Sequence, residues 1–385
     1  MDGIAVVARN NGHKCFTSCP RGRSMLDADP NTHIFIGSII TKNIHLILGR
    51  ITGFAGCFSI IDTLVFLKRL NRIKPDIIHL HNLHNSYICL PLLFRYIKRK
   101  KIKVVWTFHD CWPFTGRCPH FQLLNCNRWE GGCYSCPYPK DSYPVTFIDN
   151  TKIMWKLKER WFTGIDDMLI VTPSKWLAGL VKQSFLKSYN IEVIYNGIDR
   201  TIFHPTIGEF RSRYGLGEKQ FVILGIASSW SNRKGLDVFI EMASILDSNY
   251  RIVLVGTNER IDKMLPSNII SIHRTNNQKE LAEIYSAADV FVNPTREDNF
   301  PTTNVEALAC GTPVITYRTG GSPEAIEPSC GCVIDTNSIK ELQAVIEKMR
   351  DSSPFTSQAC IERASKFDMQ DRFAQYVNLY SEKRS

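Results

Sequence analysis

"VFVNPTREDNFPTTNVEALACGTPVITY", Val290 to Tyr317, places a polar turn and a segment of small residues between two apolar runs. The runs "VFVNPT" and "PVITY" are short and nearly all apolar, as parallel strands buried on both faces are. Between them, "TNVE", Thr303 to Glu306, matches the capping-box pattern, which predicts a helix that begins near Thr303. Strand, turn, helix and strand in this order indicate a parallel α/β sheet.

The same alternation runs along the rest of the chain. Similar apolar runs are "THIFIG" (32–37), "DIIHLH" (76–81), "KVVWTFH" (103–109), "MLIVTPS" (168–174), "IEVIYNG" (191–197), "FVILGIAS" (221–228), "RIVLVGT" (251–257), "IISIH" (269–273) and "CVIDT" (332–336). We therefore predict an α/β fold with two Rossmann-like, doubly wound domains that face each other across a cleft. The predicted ranges are 1–198 for the first domain, 199–366 for the second, and 367–385 for a helix that returns to the first.

The composition predicts a globular protein without a membrane span. Of the 385 residues, 44% are hydrophobic and 22% are charged, and no apolar run reaches the ~18 residues of a membrane span. Because Met1 and Asp2 are not followed by a signal-peptide pattern, we expect a cytoplasmic protein whose cysteines are mostly reduced.

The formal net charge is +10, and the densest basic run is "RYIKRKKIK", Arg95 to Lys103, directly after the apolar "CLPLLF". This pattern is typical of a helix in peripheral contact with an anionic membrane, here its inner face. A solvated helix end explains it equally well. Aromatic residues do not alternate with arginines as in a nucleic-acid groove, so we expect no nucleic-acid partner.

The turn in the opening stretch has two chemical features. The first backbone N–H groups of the predicted helix are free, which suits a phosphate. Acidic side chains lie on both sides of it, with Asp298 in the turn and Glu306 in the helix. Glu306 alone could simply cap the helix, but this leaves Asp298 unexplained. Carboxylates that flank a phosphate site suit the recognition of sugar hydroxyl groups.

At this point "EDNFPTTNVEALACGTPV" resembles the acid-x7-acid motif of retaining nucleotide-sugar glycosyltransferases of family four, which have the GT-B fold. The resemblance covers the chain from about residue 30 onward. It implies that the first acid lies near the donor sugar, as Asp298 or its neighbour Glu297, and that Glu306 binds the ribose hydroxyls. The implied donor-binding set is Lys234, Arg233, Phe300, Pro301, Thr302, Thr303 and Glu306.

Two further segments resemble the same family. In "SSWSNRKGLDVFI", Lys234 matches the lysine that neutralises the diphosphate, although the family's arginine directly after the strand is missing and Arg233 lies only next to the lysine. In "VVWTFHDCW", His109 matches a catalytic strand-end histidine beside the reacting sugar. A strand-end histidine is otherwise more often a structural residue, and the same applies to His79 and His81.

The chain also departs from the family. The family begins with a strand and a Gly-rich loop, whereas Met1 here begins inside what resembles the following helix, so both features are expected to be missing from the first domain. Either the true start lies upstream or the protein is damaged. The alternatives to a transferase are therefore a truncated, non-catalytic accessory protein that binds sugar nucleotides, and a nucleotide-sugar epimerase.

A Cys-rich insert at 111–140 follows the strand of His109. It contains four cysteines, Cys118, Cys126, Cys133 and Cys136. Their four thiolates suit a structural zinc, and free thiols or disulfides are the alternatives. Four ligands leave no open position, so we expect no zinc catalysis and no cofactor required for the reaction. "DAD", Asp27 to Asp29, precedes Pro30 and is interpreted as a turn.

Together these features predict transfer of a sugar from a nucleoside-diphosphate sugar to a hydroxyl acceptor, with retention at the anomeric carbon as the resemblance implies. The first domain would take the acceptor, a saccharide or lipid-linked saccharide, and the second would bind the donor. By resemblance, the expected setting is bacterial surface polysaccharide biosynthesis, such as lipopolysaccharide, capsule or exopolysaccharide.

Overall fold

A computed structural model describes residues 1–21, 31–84, 86–138 and 144–381 of the chain. The predicted turn at Asp27–Asp29 and the last residues of the predicted Cys-rich insert lie outside these residues. The helices are α1 (Asp2–Asn10), α2 (Ile39–Thr52), α3 (Ile60–Ile73), α4 (Leu90–Lys100), α5 (Thr151–Phe162), α6 (Lys175–Val181), α7 (Phe210–Arg213), α8 (Leu236–Ile245), α9 (Glu259–Asp262), α10 (Gln278–Ala287), α11 (Thr302–Ala309), α12 (Ile339–Ser352), α13 (Ser357–Ser365) and α14 (Met369–Ser381).

The strands occupy the apolar runs. They are β1 (Thr17–Pro20), β2 (His33–Ile36), β3 (Ile77–Leu80), β4 (Lys103–Thr107), β5 (Met168–Thr172), β6 (Asn190–Val193), β7 (Phe221–Ile226), β8 (Tyr250–Val255), β9 (Ile269–Ile272), β10 (Val290–Asn293), β11 (Val314–Tyr317) and β12 (Gly331–Ile334). Every apolar run quoted above overlaps one of these strands, and all strand pairs in the three sheets are parallel. The predicted α/β class is confirmed.

The chain divides into two compact units. The N-terminal unit comprises Met1–Ile194 and the segment from Phe373 onward, and the C-terminal unit comprises Tyr195–Arg372. The predicted boundaries lie after residues 198 and 366.

The N-terminal unit holds two separate parallel sheets, one with the order β1-β2 and one with the order β3-β4-β5-β6. Helices cover both faces of the larger sheet. On one face Ile4 and Ala8 of α1 pack with Val105 and with Tyr376 and Val377 of α14. The other face carries the larger core, which includes Phe66 of α3, Phe94 of α4 and Leu177 of α6. The end of α14 is therefore part of the N-terminal unit.

The C-terminal unit is a single six-stranded sheet with the order β12-β11-β10-β7-β8-β9. The chain starts at β7, winds outward to β9, and then returns to β10 on the other side of β7. The strand order thus reverses between β7 and β10, and in doubly wound sheets ligands bind beyond the carboxyl ends of the strands at such a switch point.

Two apolar layers cover this six-stranded sheet. One layer contains Tyr285 of α10, Val305 and Leu308 of α11, and Cys360 of α13. The other contains residues of α8 and α12, among them Phe239 and Ile346. Because both faces are covered, α11 is fixed against the sheet and its first turn is held next to the end of β10.

Candidate active site

The loops at the switch point of the C-terminal unit lie against each other. The loop after β7 runs to Gly235, and the loop after β10 runs from Pro294 to Pro301. Gly235 has a φ of 75°, and a Cβ at this position would lie 2.6 Å from both the Cγ atom and the carbonyl oxygen of Pro294. Only glycine tolerates both the left-handed backbone and this close approach. The close approach of the two loops therefore explains why a glycine follows Lys234.

The structure brings Lys234 and Asp298 together. The Lys234 Nζ atom donates to the Asp298 Oδ2 atom at 2.5 Å, and the two side chains are 21% and 18% exposed. Asp298 Oδ1 also accepts from the backbone N–H of Asn299 at 2.9 Å. A partly exposed lysine held by a carboxylate at a switch point can exchange part of that contact for an anionic ligand.

Arg233 and Glu297 connect the same two loops through the backbone. The Arg233 Nη1 atom donates to the carbonyl oxygen of Glu297 at 3.0 Å, and the backbone N–H of Arg296 donates to the carbonyl oxygen of Arg233 at 2.9 Å. The Glu297 side chain has no exposed surface. Of the two candidates for the first acid, Asp298 is the one that keeps solvent access, while Glu297 is buried in the loop.

The start of α11 differs from the prediction. The helix begins at Thr302 with Pro301 as its N-cap residue, and no side chain caps it. The predicted capping box between Thr303 and Glu306 is therefore wrong. Pro301 cannot donate a backbone hydrogen bond and its φ of −69° already suits a helix start. The first N–H groups of α11 consequently have no side-chain cap.

Glu306 contacts the preceding helix, α10, instead. Its Oε2 atom accepts from the hydroxyl of the fully buried Tyr285 at 3.0 Å. Burial raises the pKa of Glu306, and hydrogen bonds from Thr302 and Tyr285 oppose this shift. The hydroxyls of Thr302 and Tyr285 hold the carboxylate in place, as recognition of a polar ligand requires.

A buried polar network fixes the first turns of α11. Asn293 Nδ2 at the end of β10 donates to Asn304 Oδ1 at 2.7 Å, and Asn304 Nδ2 donates to Ser322 Oγ at 3.0 Å. The Ser322 hydroxyl is also 2.7 Å from the hydroxyl of Thr316 in β11. All four side chains are buried. The network therefore ties α11 and the loop after β11, "RTGGSPEAI" (Arg318 to Ile326), to the sheet.

The remaining predicted donor residues lie in the same loop with different exposures. Phe300 is buried and its ring lies 5.0 Å from that of Tyr195 and 5.6 Å from that of Phe367. Pro301 is also buried, whereas Thr302 and Thr303 are partly exposed at the first turn of α11. Phe300 therefore anchors the loop to the body of the unit.

In the N-terminal unit, His109 follows the carboxyl end of β4 and contacts a second histidine. Its Nε2 atom lies 3.2 Å from His81 Nδ1, and the rings are stacked. His109 is exposed, although desolvation by surrounding atoms lowers its pKa and the charge of Asp110 opposes this shift. Desolvation lowers the pKa of His81 further. The pair is therefore neutral near pH 7.

His79 has a structural role. Its Nδ1 atom is 2.6 Å from the hydroxyl of Tyr380 and its Nε2 atom is 2.8 Å from the hydroxyl of Thr107. Burial lowers its pKa to about 3. This histidine thus uses both ring nitrogens to join α14 to the four-stranded sheet.

The Cys-rich insert is built around aromatic residues and one buried lysine. Lys158 Nζ donates to the carbonyl oxygens of Trp112 at 2.7 Å and Thr115 at 2.9 Å, and burial lowers its pKa to about 7. The backbone N–H of Gly116 donates to Cys133 Sγ at 3.2 Å. All 13 cysteines lie within the described part of the chain, and none of them forms a disulfide there.

Across the described ranges, no group of three or more His, Cys, Asp or Glu residues is arranged to hold a metal ion. Cys118, Cys126, Cys133 and Cys136 are close enough to affect one another's charge. Zinc at these cysteines stays a prediction.

Two Rossmann-like units with parallel sheets form the fold of GT-B glycosyltransferases, and comparison with known proteins places the chain in this class. The model described as "Glycosyltransferase Family 4" matches residues 5–201, and the model described as "Glycosyl transferases group 1" matches residues 207–367. The first match alone covers half of the chain. The protein belongs to glycosyltransferase family 4.

Individual relatives are distant but cover most of the chain. The "Putative colanic acid biosynthesis glycosyl transferase WcaC" of Escherichia coli is 24% identical over 80% of this chain and 76% of its own length. The solved structure of WaaG, "a glycosyltransferase involved in lipopolysaccharide biosynthesis", has a TM-score of 0.63 at 16% identity and covers 99% of this chain and 95% of that one. Anabaena HepE in complex with UDP-glucose has a TM-score of 0.60 at 16% identity, with 83% and 82% covered.

Sequence reasoning missed several residues of the site. Tyr285, Asn304 and Ser322 hold Glu306 and α11, and Asp110 modulates His109. Tyr285 lies in a helical segment whose period predicts only core packing. Asn304 directly precedes the apolar Val305 in the first turn of α11, and an amide next to core residues is a signal of a buried polar contact.

Proposed function

We propose that this protein transfers a sugar from a nucleoside-diphosphate sugar to a hydroxyl acceptor with retention at the anomeric carbon. The observation that carries the proposal is the contact between Lys234 and Asp298 at the switch point of the C-terminal unit. It joins a cation suited to a diphosphate with a carboxylate suited to a sugar hydroxyl, beside the uncapped start of α11.

The leaving group of such a reaction is a nucleoside diphosphate, whose oxygens gain charge as the anomeric bond breaks. Lys234 and the N–H groups of Thr302 and Thr303 stabilise this charge. The helix N-terminus contributes because no side chain occupies it. Arg233, whose Nη1 atom donates to the Glu297 carbonyl, also positions the loop.

Glu306 binds the ribose of the donor. The hydroxyls of Tyr285 and Thr302 hold its carboxylate, and the lone pairs that remain on its oxygens accept from a ribose hydroxyl. A carboxylate that buried partners hold in place selects strongly for ligands with hydroxyl donors, because a ligand that lacks such donors leaves the carboxylate oxygens unpaired.

Asp298 and His109 orient the sugar that is transferred. The carboxylate of Asp298 already accepts from Lys234 and from the backbone N–H of Asn299, and a remaining lone pair accepts from a sugar hydroxyl. His109 is neutral and therefore places no second positive charge near the anomeric carbon. The resemblance to the family implies attack on the same face as the leaving group, without a covalent intermediate on the protein.

The biosynthesis of bacterial surface polysaccharide is the proposed setting. The names of WcaC and WaaG support it, the first through colanic acid and the second through lipopolysaccharide. The HepE complex with UDP-glucose supports a nucleotide-sugar donor. The acceptor is a saccharide or a lipid-linked saccharide.

A panel of nucleotide sugars in a thermal-shift assay tests the proposal. A donor that binds the folded protein at a hundred times its Kd stabilises it by ~2.7 kcal/mol and raises the Tm. The hit is then incubated with and without saccharide acceptors, and NMR of the product gives the anomeric configuration. Transfer with retention is expected. Conversion of the donor in the absence of acceptor would instead show an epimerase, and no hit in the panel would contradict the proposal.

A further inference from the structure

The helices α2 and α3 expose a large apolar surface in the N-terminal unit. Ile40 is 71% exposed, Ile47 is 53% exposed and Ile61 is 77% exposed. Contiguous exposed apolar residues of this kind mark interaction sites on proteins. The α2–α3 face is defined by Ile40, Ile44, Ile47, Ile51, Ile61, Leu64 and Val65, all of which are exposed.

The spacing on α2 shows that this surface is a stripe and not scattered residues. Ile40, Ile44, Ile47 and Ile51 recur at steps of four, three and four residues, which places them on one side of a helix. The single buried residue of α2 is His45, which is 1% exposed. The isoleucine stripe therefore faces away from the body of the unit.

His45 also holds the two helices together. Its Nδ1 atom is 2.7 Å from the hydroxyl of Ser59, the residue before α3, and its Nε2 atom accepts from the backbone N–H of Gly56 at 3.1 Å. These contacts keep the beginning of α3 beside the middle of α2. The apolar stripe of α2 and the apolar first turns of α3 are consequently neighbours.

The exposed side of α3 changes from apolar to basic along the helix. Ile61, Leu64 and Val65 occupy its first two turns, and the exposed Lys68, Arg69 and Arg72 follow in the next two. Between Ser38 and Lys74 the sequence has six Lys or Arg residues and one acid, Asp62, which is partly buried.

The neighbouring helix adds further positive charge. The helix α4 packs against α3 and ends in Lys98, Arg99 and Lys100. A groove of about 330 Å³ along α4 is lined by Arg95, Lys98, Arg99, Arg160 and Trp161, together with Pro91 and Phe94. Apolar side chains next to basic ones are the pattern of a helix that lies in the interface of an anionic bilayer.

We infer that the α2–α3 face docks on an anionic lipid bilayer. The isoleucines of α2 and the first turns of α3 enter the headgroup region, and Lys68, Arg69 and Arg72 contact lipid phosphates. A second copy of the chain is a poorer occupant, because it would bring two basic surfaces together. The inference is independent of the proposed reaction, and it places membrane contact on α2 and α3 in addition to the Arg95–Lys103 segment.

Flotation of the full chain with lipid vesicles tests this inference. Vesicles of phosphatidylcholine with 30% phosphatidylglycerol are expected to bind the protein at least ~tenfold more tightly than pure phosphatidylcholine, since each basic residue near the surface contributes. The variant Ile44→Gln/Ile61→Gln is expected to bind at least ~tenfold more weakly, because two apolar side chains no longer enter the interface. Lys68→Glu/Arg72→Glu should lose binding to the anionic vesicles only.

The matched control is Ile207→Gln, which changes an equally apolar residue that is fully exposed in the C-terminal unit. It should bind vesicles as the unchanged protein does. Failure of the unchanged protein to float with anionic vesicles would overturn the inference, as would equal binding by Ile44→Gln/Ile61→Gln. Sedimentation velocity adds a separate check: a dimer that the double isoleucine variant dissociates would show that a second copy covers the face. Circular dichroism establishes that each variant is folded, and no readout depends on glycosyl transfer.

Discussion

The carboxyl strand ends of the two units carry opposite kinds of chemistry. At the switch point of the C-terminal unit, Lys234 and Asp298 form an ion pair and Glu306 is held by Tyr285. At the end of β4 in the N-terminal unit, His81 and His109 share an uncharged contact with pKa values below the ordinary histidine value. The difference is the basis of a proposed division of labour, in which the C-terminal unit binds the charged donor and the N-terminal unit supplies neutral groups for the transfer.

Loss of Glu306 is expected to give the largest effect. Glu306→Ala removes the proposed ribose ligand and should lower kcat/KM by about a hundredfold. A loss of this size is typical when a fixed polar group is removed from an active site. Tyr285→Phe keeps the carboxylate and removes one of its partners, so a fall of about fivefold is expected. Steady-state kinetics with the identified donor measures both. Equal effects of the two changes would show that Glu306 acts through packing alone.

The next comparison separates the two candidates for the first acid. Asp298→Asn should lower kcat/KM by at least ~tenfold because Lys234 loses its carboxylate partner and the sugar loses an acceptor. Glu297→Gln should change kcat/KM by less than about threefold, since the Glu297 side chain has no exposed surface. A larger loss in Glu297→Gln than in Asp298→Asn would reverse the assignment.

The neutral histidine pair predicts the acid limb of the pH profile. Desolvation lowers the pKa of His109, so kcat/KM should fall only below pH 6.5, when His109 becomes protonated. Asp110 raises the pKa of His109, and Asp110→Asn should therefore move the acid limb to lower pH. A shift to higher pH in this variant would contradict the electrostatic account, and circular dichroism checks that it remains folded.

The smallest expected effect concerns stability and not turnover. Lys158→Met leaves the carbonyl oxygens of Trp112 and Thr115 without their donor and should lower the free energy of unfolding by about 2 kcal/mol. Urea unfolding measures it. The control Lys156→Met changes an exposed lysine of the same helix and should stay within about 0.5 kcal/mol of the unchanged protein. Equal stability of both variants would show that water replaces the lysine.

The sequence predicted the strands well because their signal is local. A run such as "FVILGI" is apolar throughout, and only a strand covered on both faces buries all of it. The start of α11 was predicted less well. The capping-box pattern fits Thr303 and Glu306, but Pro301, two residues before Thr303, already provides a helix start, and the carboxylate of Glu306 is held by Tyr285.

The side-chain contacts that the sequence did not predict join residues that lie far apart in the chain. His81 meets His109 because β3 and β4 are neighbours in the sheet, and Glu306 meets Tyr285 because α10 and α11 pack together. Neither pairing leaves a periodic pattern along the chain. The family motif could therefore name Lys234, Asp298 and Glu306, but it could not name the groups that hold them.

Calorimetric titration of donor into three proteins tests the division of labour most directly. The unchanged protein, Lys234→Ala and His109→Ala are titrated with the donor found in the thermal-shift panel, and turnover is measured in parallel. We predict that Lys234→Ala binds donor at least ~tenfold more weakly, whereas His109→Ala binds within about twofold of the unchanged protein and loses turnover by at least ~tenfold. Unchanged donor affinity in Lys234→Ala would contradict the account.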